Sequence, residues 1–130
     1  MKLVSGLKLL EQCEGEGRSA EAGDRVVYNM RLFLNKGEEV PLNAVQAETV
    51  PNDRLRADGG VTFLDRTIRL GQREAIAGVE LTLMGMKVGG YRNVRISPHL
   101  AYRDKGVPDL IPPHAVLRCE LWLREILEKS

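Results

Sequence analysis

Alternating apolar and polar positions along the chain predict several short β-strands and one helix. The alternation is clearest near the end of the chain, where one face of a predicted strand carries Leu117, Cys119, Leu121 and Leu123. Residues 25–34 alternate in the same way and lead into a hairpin turn, Asn35-Lys36-Gly37. Further strands are predicted over residues 7–13, 67–70 and 91–96, so the sheet has several antiparallel members.

One short helix is predicted in the middle of the chain, within residues 72–86. Ile76, Val79 and Leu83 recur on one helical face, and the glycines that begin at Gly85 end the segment. Residues 41–62 are polar and contain two prolines and a Gly-Gly pair, which predicts an irregular insertion with one helical turn. Together these elements predict a single α+β domain over residues 1–130, with the helix packed on one face of a curved sheet.

Composition and charge narrow the class of partner. The 130 residues are 43% hydrophobic and carry a formal net charge of +1, which is typical of one globular domain with a single core. The near-neutral balance provides no basic surface for a nucleic acid, so we expect no nucleic-acid partner. No apolar run is long enough to cross a bilayer, and we therefore expect no membrane association and a cytoplasmic location.

The sequence offers no metal or cofactor site. Cys13 and Cys119 are far apart and form no CxxC pair, so we expect buried, reduced thiols. His99 and His114 have no ligand partners at metal-binding spacing, which favours solvated or capping histidines. Residues 15–20 fit G-x-G-x-x-A, but no βαβ unit follows, and the segment is predicted to be a turn.

An apolar segment with four prolines, residues 95–117, is too rich in proline for a helix or a central strand. Its motifs, ISPHLAY and IPPHAVL, follow SGLK, AGD, LGQREAIAGVE and GMKVGGYR in this order along the chain. This series resembles the FKBP family of peptidyl-prolyl cis-trans isomerases over nearly the whole chain, the insertion excepted. The resemblance implies the FKBP-like fold, a curved antiparallel β-sheet wrapped around one short α-helix.

The resemblance also implies a binding groove for proline-containing polypeptides, with the proline-rich segment as its flap. Ile76 matches the residue whose backbone N–H holds a ligand carbonyl, and Tyr102 matches the flap tyrosine whose hydroxyl does the same. Ile111 and its neighbour Leu110 match the apolar wall. From their spacing alone, the two isoleucines are better explained as core residues, whereas Tyr102 is equally explained as a wall residue with a solvated hydroxyl.

Other groove positions depart from the family pattern. Met30 stands where the family has a strand tyrosine, and Val40 and Pro41 replace a phenylalanine-aspartate pair. The remaining replacements are Val79 for the floor tryptophan, Arg66 and Cys119 for aromatics, and Arg103 for a glycine after the flap tyrosine. We therefore expect a wider, less aromatic groove, walled by Ile111, Leu110, Val79, Met30, Val40 and Cys119.

Two functions follow from this mixture of retained and altered positions. The first is peptidyl-prolyl isomerisation of X–Pro bonds, weak or altered in specificity, with Tyr102 and Ile76 as the catalytic residues and macrolides as weak ligands. The second is a non-catalytic peptide- or protein-binding module on the same fold. A further open alternative concerns Trp122, which either is exposed and marks a partner surface or is covered by the insertion and by arginine side chains.

Overall fold

The computed structural model describes residues 4–127 and places one antiparallel sheet around a short helix. The sheet is built from β1 (Leu7–Cys13), β2 (Arg25–Leu34), β3 (Glu39–Val40), β6 (Arg66–Arg69), β7 (Tyr91–Ile96) and β8 (Leu117–Ile126). Its order is β1-β7-β8-β2-β3, and β6 also pairs with β2. All of these pairings are antiparallel, so the predicted fold class, an FKBP-like α+β domain, is confirmed.

The single helix against the concave face of the sheet is α2 (Ala77–Leu83), which lies inside the predicted segment 72–86 and is shorter than it at both ends. Val79 and Leu83 point into the core, where they are 1% and 0% exposed. Gly78 lets the helix approach β7 closely, because a Cβ at this position would lie 2.5 Å from Ile96 Cγ2. The helix therefore packs on the apolar face of the sheet and completes the core.

The insertion is more regular than predicted. The expected helical turn is present as α1 (Leu42–Ala47), but the second half forms a β-hairpin from β4 (Leu55–Asp58) and β5 (Val61–Leu64) instead of an irregular loop. The turn between these strands is Gly59-Gly60, with φ of +58° and +81°. Two adjacent residues with positive φ match the twist of a tight hairpin, which explains why this Gly-Gly pair ends one strand and starts the next.

The hairpin covers part of the convex face of the main sheet. The ring of Phe63 on β5 packs against Trp122 on β8, with 5.0 Å between the ring centroids. Arg124 forms an ion pair with Asp58 at 3.1 Å, and its Nε donates to Asn29 Oδ1 at 2.6 Å. Of the two alternatives for Trp122, cover by the insertion and an arginine is therefore the observed one.

The proline-rich flap between β7 and β8 is closed by its own backbone hydrogen bonds. The N–H groups of Val107 and Ile111 each donate to the other residue's carbonyl at 2.8 Å. Gly106 is needed beside this bridge, because its φ is +61° and a Cβ would lie 2.3 Å from the Ile111 carbonyl oxygen. Prolines that fix φ lower the entropy lost in holding such a loop, so the segment presents one shape to a ligand.

Candidate functional site

The eight site residues predicted from sequence come together in or against a single core cluster on the concave side of the sheet. Three of them are half-buried at its surface: Ile76, Leu110 and Tyr102. The other five are buried, with exposed fractions from 0% to 8%: Cys119, Val79, Ile111, Val40 and Met30. Val79 and Cys119, which we expect to line the groove, are not open to solvent in this structure.

Tyr28 was not predicted as a site residue, although it lies on the same face of β2 as Met30. Its side chain is only 3% exposed, and it belongs to the cluster that contains Val79 and Cys119. The sequence carried a signal for it: a large aromatic two residues before Met30 shares the inward face in a strand. Tyr28 thus supplies aromatic surface to a cluster from which the family's aromatics at positions 79 and 119 are missing.

Arg66 lies directly opposite Tyr28 in the pairing of β2 with β6. Side chains at paired positions point to the same face of a sheet, so Arg66 faces the concave side with Tyr28. Its Nη2 donates to Oε1 of Gln46 on α1 at 2.6 Å. The insertion thereby contacts Arg66 directly through Gln46, and the pairing of β6 with β2 fixes the position of Arg66 opposite Tyr28.

The hydroxyl and thiol groups of the cluster stay protonated at neutral pH. Burial raises the pKa of Tyr28 and of Tyr102, while the charge of Arg66 opposes both shifts. Burial also raises the pKa of the Cys119 thiol to about 12. Cys119 therefore holds no thiolate to act as a nucleophile, whereas the tyrosine hydroxyls remain able to donate hydrogen bonds.

Ile76 precedes α2 in an extended conformation, with φ −60° and ψ 148°, and its carbonyl accepts from the N–H of Val79 at 3.0 Å. Its own N–H donates to no acceptor within residues 4–127. The buried carboxylate of Glu80 accepts from the N–H of Gly71 at 2.7 Å and from that of Ala75 at 3.1 Å. Glu80 thus fixes the loop that leads to Ile76 and orients an amide that is available to a ligand.

Tyr102 is held by the folded backbone of the flap. Its carbonyl accepts from the N–H of Gly106 at 3.0 Å, and the next residue, Arg103, adopts φ +53° and accepts from the His114 N–H at 2.8 Å. The Tyr102 side chain packs against the core cluster, and its hydroxyl has no hydrogen-bond partner in the described part of the chain. The site thus combines two unoccupied donors, the Ile76 amide and the Tyr102 hydroxyl, with an apolar floor.

Metal and membrane chemistry receive no support from the residues described. Between residues 4 and 127, no three side chains among histidine, cysteine, aspartate and glutamate are grouped closely enough to hold a metal ion. Over the same residues, no helix has the length and apolar character needed to span a bilayer. The Nε2 atom of His99 lies 3.2 Å from the carbonyl oxygen of Ser5.

Comparison with known proteins places the chain in a family. The 46 kDa FK506-binding nuclear protein of Spodoptera frugiperda is 43% identical over 96% of this chain, which covers 26% of that protein's length. FK506-binding protein 4 of Chaetomium thermophilum is 33% identical over 97% of this chain, and the match covers 22% of that protein's length. FK506-binding protein 1A of Neurospora crassa is 29% identical over 88% of this chain, and the match covers 82% of that protein's length.

The chain spans about a quarter of the length of the first two relatives, so it corresponds to one part of each of them. The family model described as FKBP-type peptidyl-prolyl cis-trans isomerase matches residues 16–123, which include the helix, the flap and both donor residues. The chain therefore belongs to the FKBP-type peptidyl-prolyl cis-trans isomerase family.

Proposed function

We propose that this chain catalyses cis-trans isomerisation of X–Pro bonds in polypeptides, with Tyr102 and Ile76 as the groups that contact the substrate. The observation that carries the proposal is the pair of free donors, the Ile76 N–H and the Tyr102 hydroxyl, beside an apolar cluster under a rigid flap. These donors match the carbonyl groups on either side of a prolyl ring. The ring itself would pack on the half-buried side chains of Leu110 and Ile76.

The reaction needs no nucleophile and no cofactor. Rotation about an X–Pro bond faces a barrier of roughly 20 kcal/mol, because the amide loses its resonance on twisting. An apolar wall favours the twisted amide, which is less polar, and the two donors hold the flanking carbonyls in place. Each ~1.4 kcal/mol of preferential binding to the twisted form gives about a tenfold rate increase.

The altered floor supports a weak or selective isomerase. Val79 and Cys119 offer less surface to a prolyl ring than aromatic side chains do, and Pro41 replaces a carboxylate. Tyr28 restores only part of that surface, because it is 3% exposed and lies below the groove. For the same reason, we expect macrolide ligands, which the names of the relatives mention, to bind weakly.

The experiment is a measurement of isomerisation rates for peptides that differ only in the residue before proline. Catalysis above the uncatalysed rate is expected for at least one peptide, and Tyr102→Phe should lower kcat/KM about tenfold, the loss of one hydrogen-bond donor. Arg95→Gln, at an exposed position on β7, is the matched control and should keep the wild-type rate. If folded protein leaves every peptide isomerising at its uncatalysed rate, the proposal is refuted.

The second candidate is a non-catalytic peptide- or protein-binding module. It is favoured by the burial of the five site residues that form the apolar floor: Cys119, Val79, Ile111, Val40 and Met30. A binding module would bind proline-containing peptides with a Kd sensitive to Tyr102→Phe but would not accelerate their isomerisation. Measuring the Kd of the same peptides therefore separates the two candidates. A cytoplasmic location stays a prediction, and two relatives carry the word nuclear in their names.

A further inference from the structure

Arg66 is a cation without a carboxylate partner beside the proposed groove. Within residues 4–127 it forms no ion pair, and its hydrogen-bond acceptor is the neutral side chain of Gln46. Its charge acts on the hydroxyl of Tyr28, on the flap hydroxyl of Tyr102 and on the thiol of Cys119. The guanidinium therefore lies among the groups that surround the proposed substrate site.

The guanidinium is incompletely satisfied. Its Nε is the one buried side-chain nitrogen or oxygen in the described part of the chain that has no hydrogen-bond partner. Its Nη1 donates to no acceptor in the same residues, while Nη2 is occupied by Gln46. A partly desolvated guanidinium interacts strongly with an anion, because the surrounding dielectric is low and the hydrogen bond is charge-assisted. The Nε and Nη1 donors of Arg66 thus lack acceptors in the described part of the chain, and an anion is the acceptor that forms the strongest hydrogen bond with such a cation.

A second observation concerns a cleft of ≈ 510 Å³ beside α2, which is lined by Arg73 and Arg103 together with Ala77, Leu81 and Met84 of the helix segment. Both arginines are exposed, neither forms an ion pair within residues 4–127, and they precede and follow the donor residues Ile76 and Tyr102 closely in the chain. Glu80 also borders the cleft, but its carboxylate oxygens are engaged by backbone N–H groups. Two exposed arginines therefore line this cleft, one three residues before Ile76 and one directly after Tyr102 in the chain.

We infer that the groove selects polypeptides in which an anionic side chain adjoins the isomerising proline, an inference that rests on the proposed function. Arg66 binds the anion through its free Nη1, and Arg73 and Arg103 attract further acidic residues of the same polypeptide. Gln46 is a positioning residue, since it fixes the guanidinium from α1 without contacting the substrate. The anion is either a carboxylate or a phosphate ester, which share the geometry that a guanidinium recognises.

The test compares matched peptides: Glu-Pro with Gln-Pro for carboxylate, and phosphoserine-Pro with Ser-Pro for phosphate. The wild type should show kcat/KM about tenfold higher for the anionic member of at least one pair, and added salt should reduce this ratio. Arg66→Gln should bring the ratio close to one, Arg66→Lys should retain part of it, and Arg95→Gln should leave it at the wild-type value. The pair that shows the preference identifies the anion.

A Leu-Pro peptide separates failure of this inference from failure of the proposed function. Catalysis of Leu-Pro with equal rates within both matched pairs overturns the inference and leaves the isomerase proposal standing. If no peptide is isomerised, the isomerase proposal fails, and the Kd values of the matched pairs decide the anion preference instead. Should Arg66→Gln fail to fold, the salt dependence of the wild-type ratio decides, and a ratio independent of salt overturns the inference.

Discussion

Tyr28 on β2 and Arg66 on β6 are directly paired across two antiparallel strands, and both side chains face the concave side of the sheet. The first is 3% exposed and anchors the core cluster, while the second carries a charge that no carboxylate neutralises within residues 4–127. Where the family resemblance implies a floor of several aromatic side chains, this chain has one buried aromatic, Tyr28, and one cation, Arg66. We therefore expect Tyr28 to determine the stability of the site and Arg66 to determine its preference among substrates.

Removal of the Tyr28 ring should destabilise the protein strongly. Tyr28→Ala leaves a cavity next to Val79 and Cys119, and truncation of a buried aromatic costs about 3–5 kcal/mol of unfolding free energy. Tyr28→Phe keeps the ring and is the matched control, with an expected change below about 1 kcal/mol, because the hydroxyl has no partner in the described part of the chain. Urea unfolding followed by the single tryptophan, Trp122, measures both. A Tyr28→Ala value within 1 kcal/mol of wild type would contradict the burial of this side chain.

Loss of the Glu80 carboxylate should lower activity as well as stability. In Glu80→Gln, the side chain can accept only one of the two N–H groups, of Gly71 and Ala75, so the loop that orients Ile76 is loosened. We expect a loss of about 1–3 kcal/mol of unfolding free energy and a lower kcat for X–Pro isomerisation. Glu38→Gln is the matched control at an exposed position. Unchanged kcat in Glu80→Gln would show that the loop is held by other contacts.

The ion pair between Arg56 on β4 and Asp65 should make stability depend on pH in the acid range. Hydrogen bonds from Arg56, and then from Asn29, lower the pKa of the Asp65 carboxyl below its ordinary value of 3.8. The stabilisation by this carboxylate is therefore fully present above about pH 4 and is lost as the pH falls through the lower pKa of the folded state. Asp65→Asn removes it at every pH.

The difference in unfolding free energy between wild type and Asp65→Asn should accordingly be larger at about pH 6 than at about pH 2.5. Chemical denaturation of both proteins across this range measures the difference, and Asp53→Asn, at an exposed position, serves as control. A difference that stays constant with pH would show an unshifted pKa of the carboxyl in the folded protein, and one that grows on acidification would show a raised pKa; either result would contradict this account.

The two cysteines should differ sharply in reactivity. Cys119 is buried as expected, with a thiol pKa of about 12. The expected burial of Cys13 is wrong, because this residue ends the edge strand β1 and is exposed. At about pH 8, a disulfide reagent should therefore modify one thiol quickly and the second only as the protein unfolds. Cys13→Ser should remove the fast phase alone. Two fast phases in the folded wild type would mean that the floor of the groove is open, as the sequence alone had indicated.

The sheet and helix were predictable because strict alternation and helical spacing are imposed by burial, and burial dominates in these elements. The β-hairpin of the insertion was not predictable, since β4 and β5 are only four residues long each and carry polar residues. Their strand pairing is stabilised by tertiary contacts of Phe63 and Asp58 with β8, which the local pattern does not contain.

The candidate site was predictable where it depends on flap and helix motifs, as for Ile76 and Tyr102. The part of the site that is formed by side chains from distant segments of the chain was not predictable. The alternation of β2 places Tyr28 on the inward face, but its membership of one core cluster with Val79 and Cys119 appears only when β2, α2 and β8 pack together. Arg66 required the register with β2, and its partner Gln46 comes from a helix that family motifs do not cover.

The most direct test of the isomerase account removes the Ile76 N–H and nothing else of the backbone. Ile76 has φ −60° and its N–H is unbonded within residues 4–127, so proline fits this position at the start of α2 without loss of an internal hydrogen bond. Ile76→Val keeps the N–H and is the matched control.

Exchange NMR on a Leu-Pro peptide gives the isomerisation rate with each protein. The account predicts catalysis by wild type and Ile76→Val, and a loss of about 10- to 100-fold in kcat/KM for folded Ile76→Pro. Equal catalysis by wild type and Ile76→Pro would contradict the account, because substrate would then be isomerised without the donor on which the proposed geometry rests.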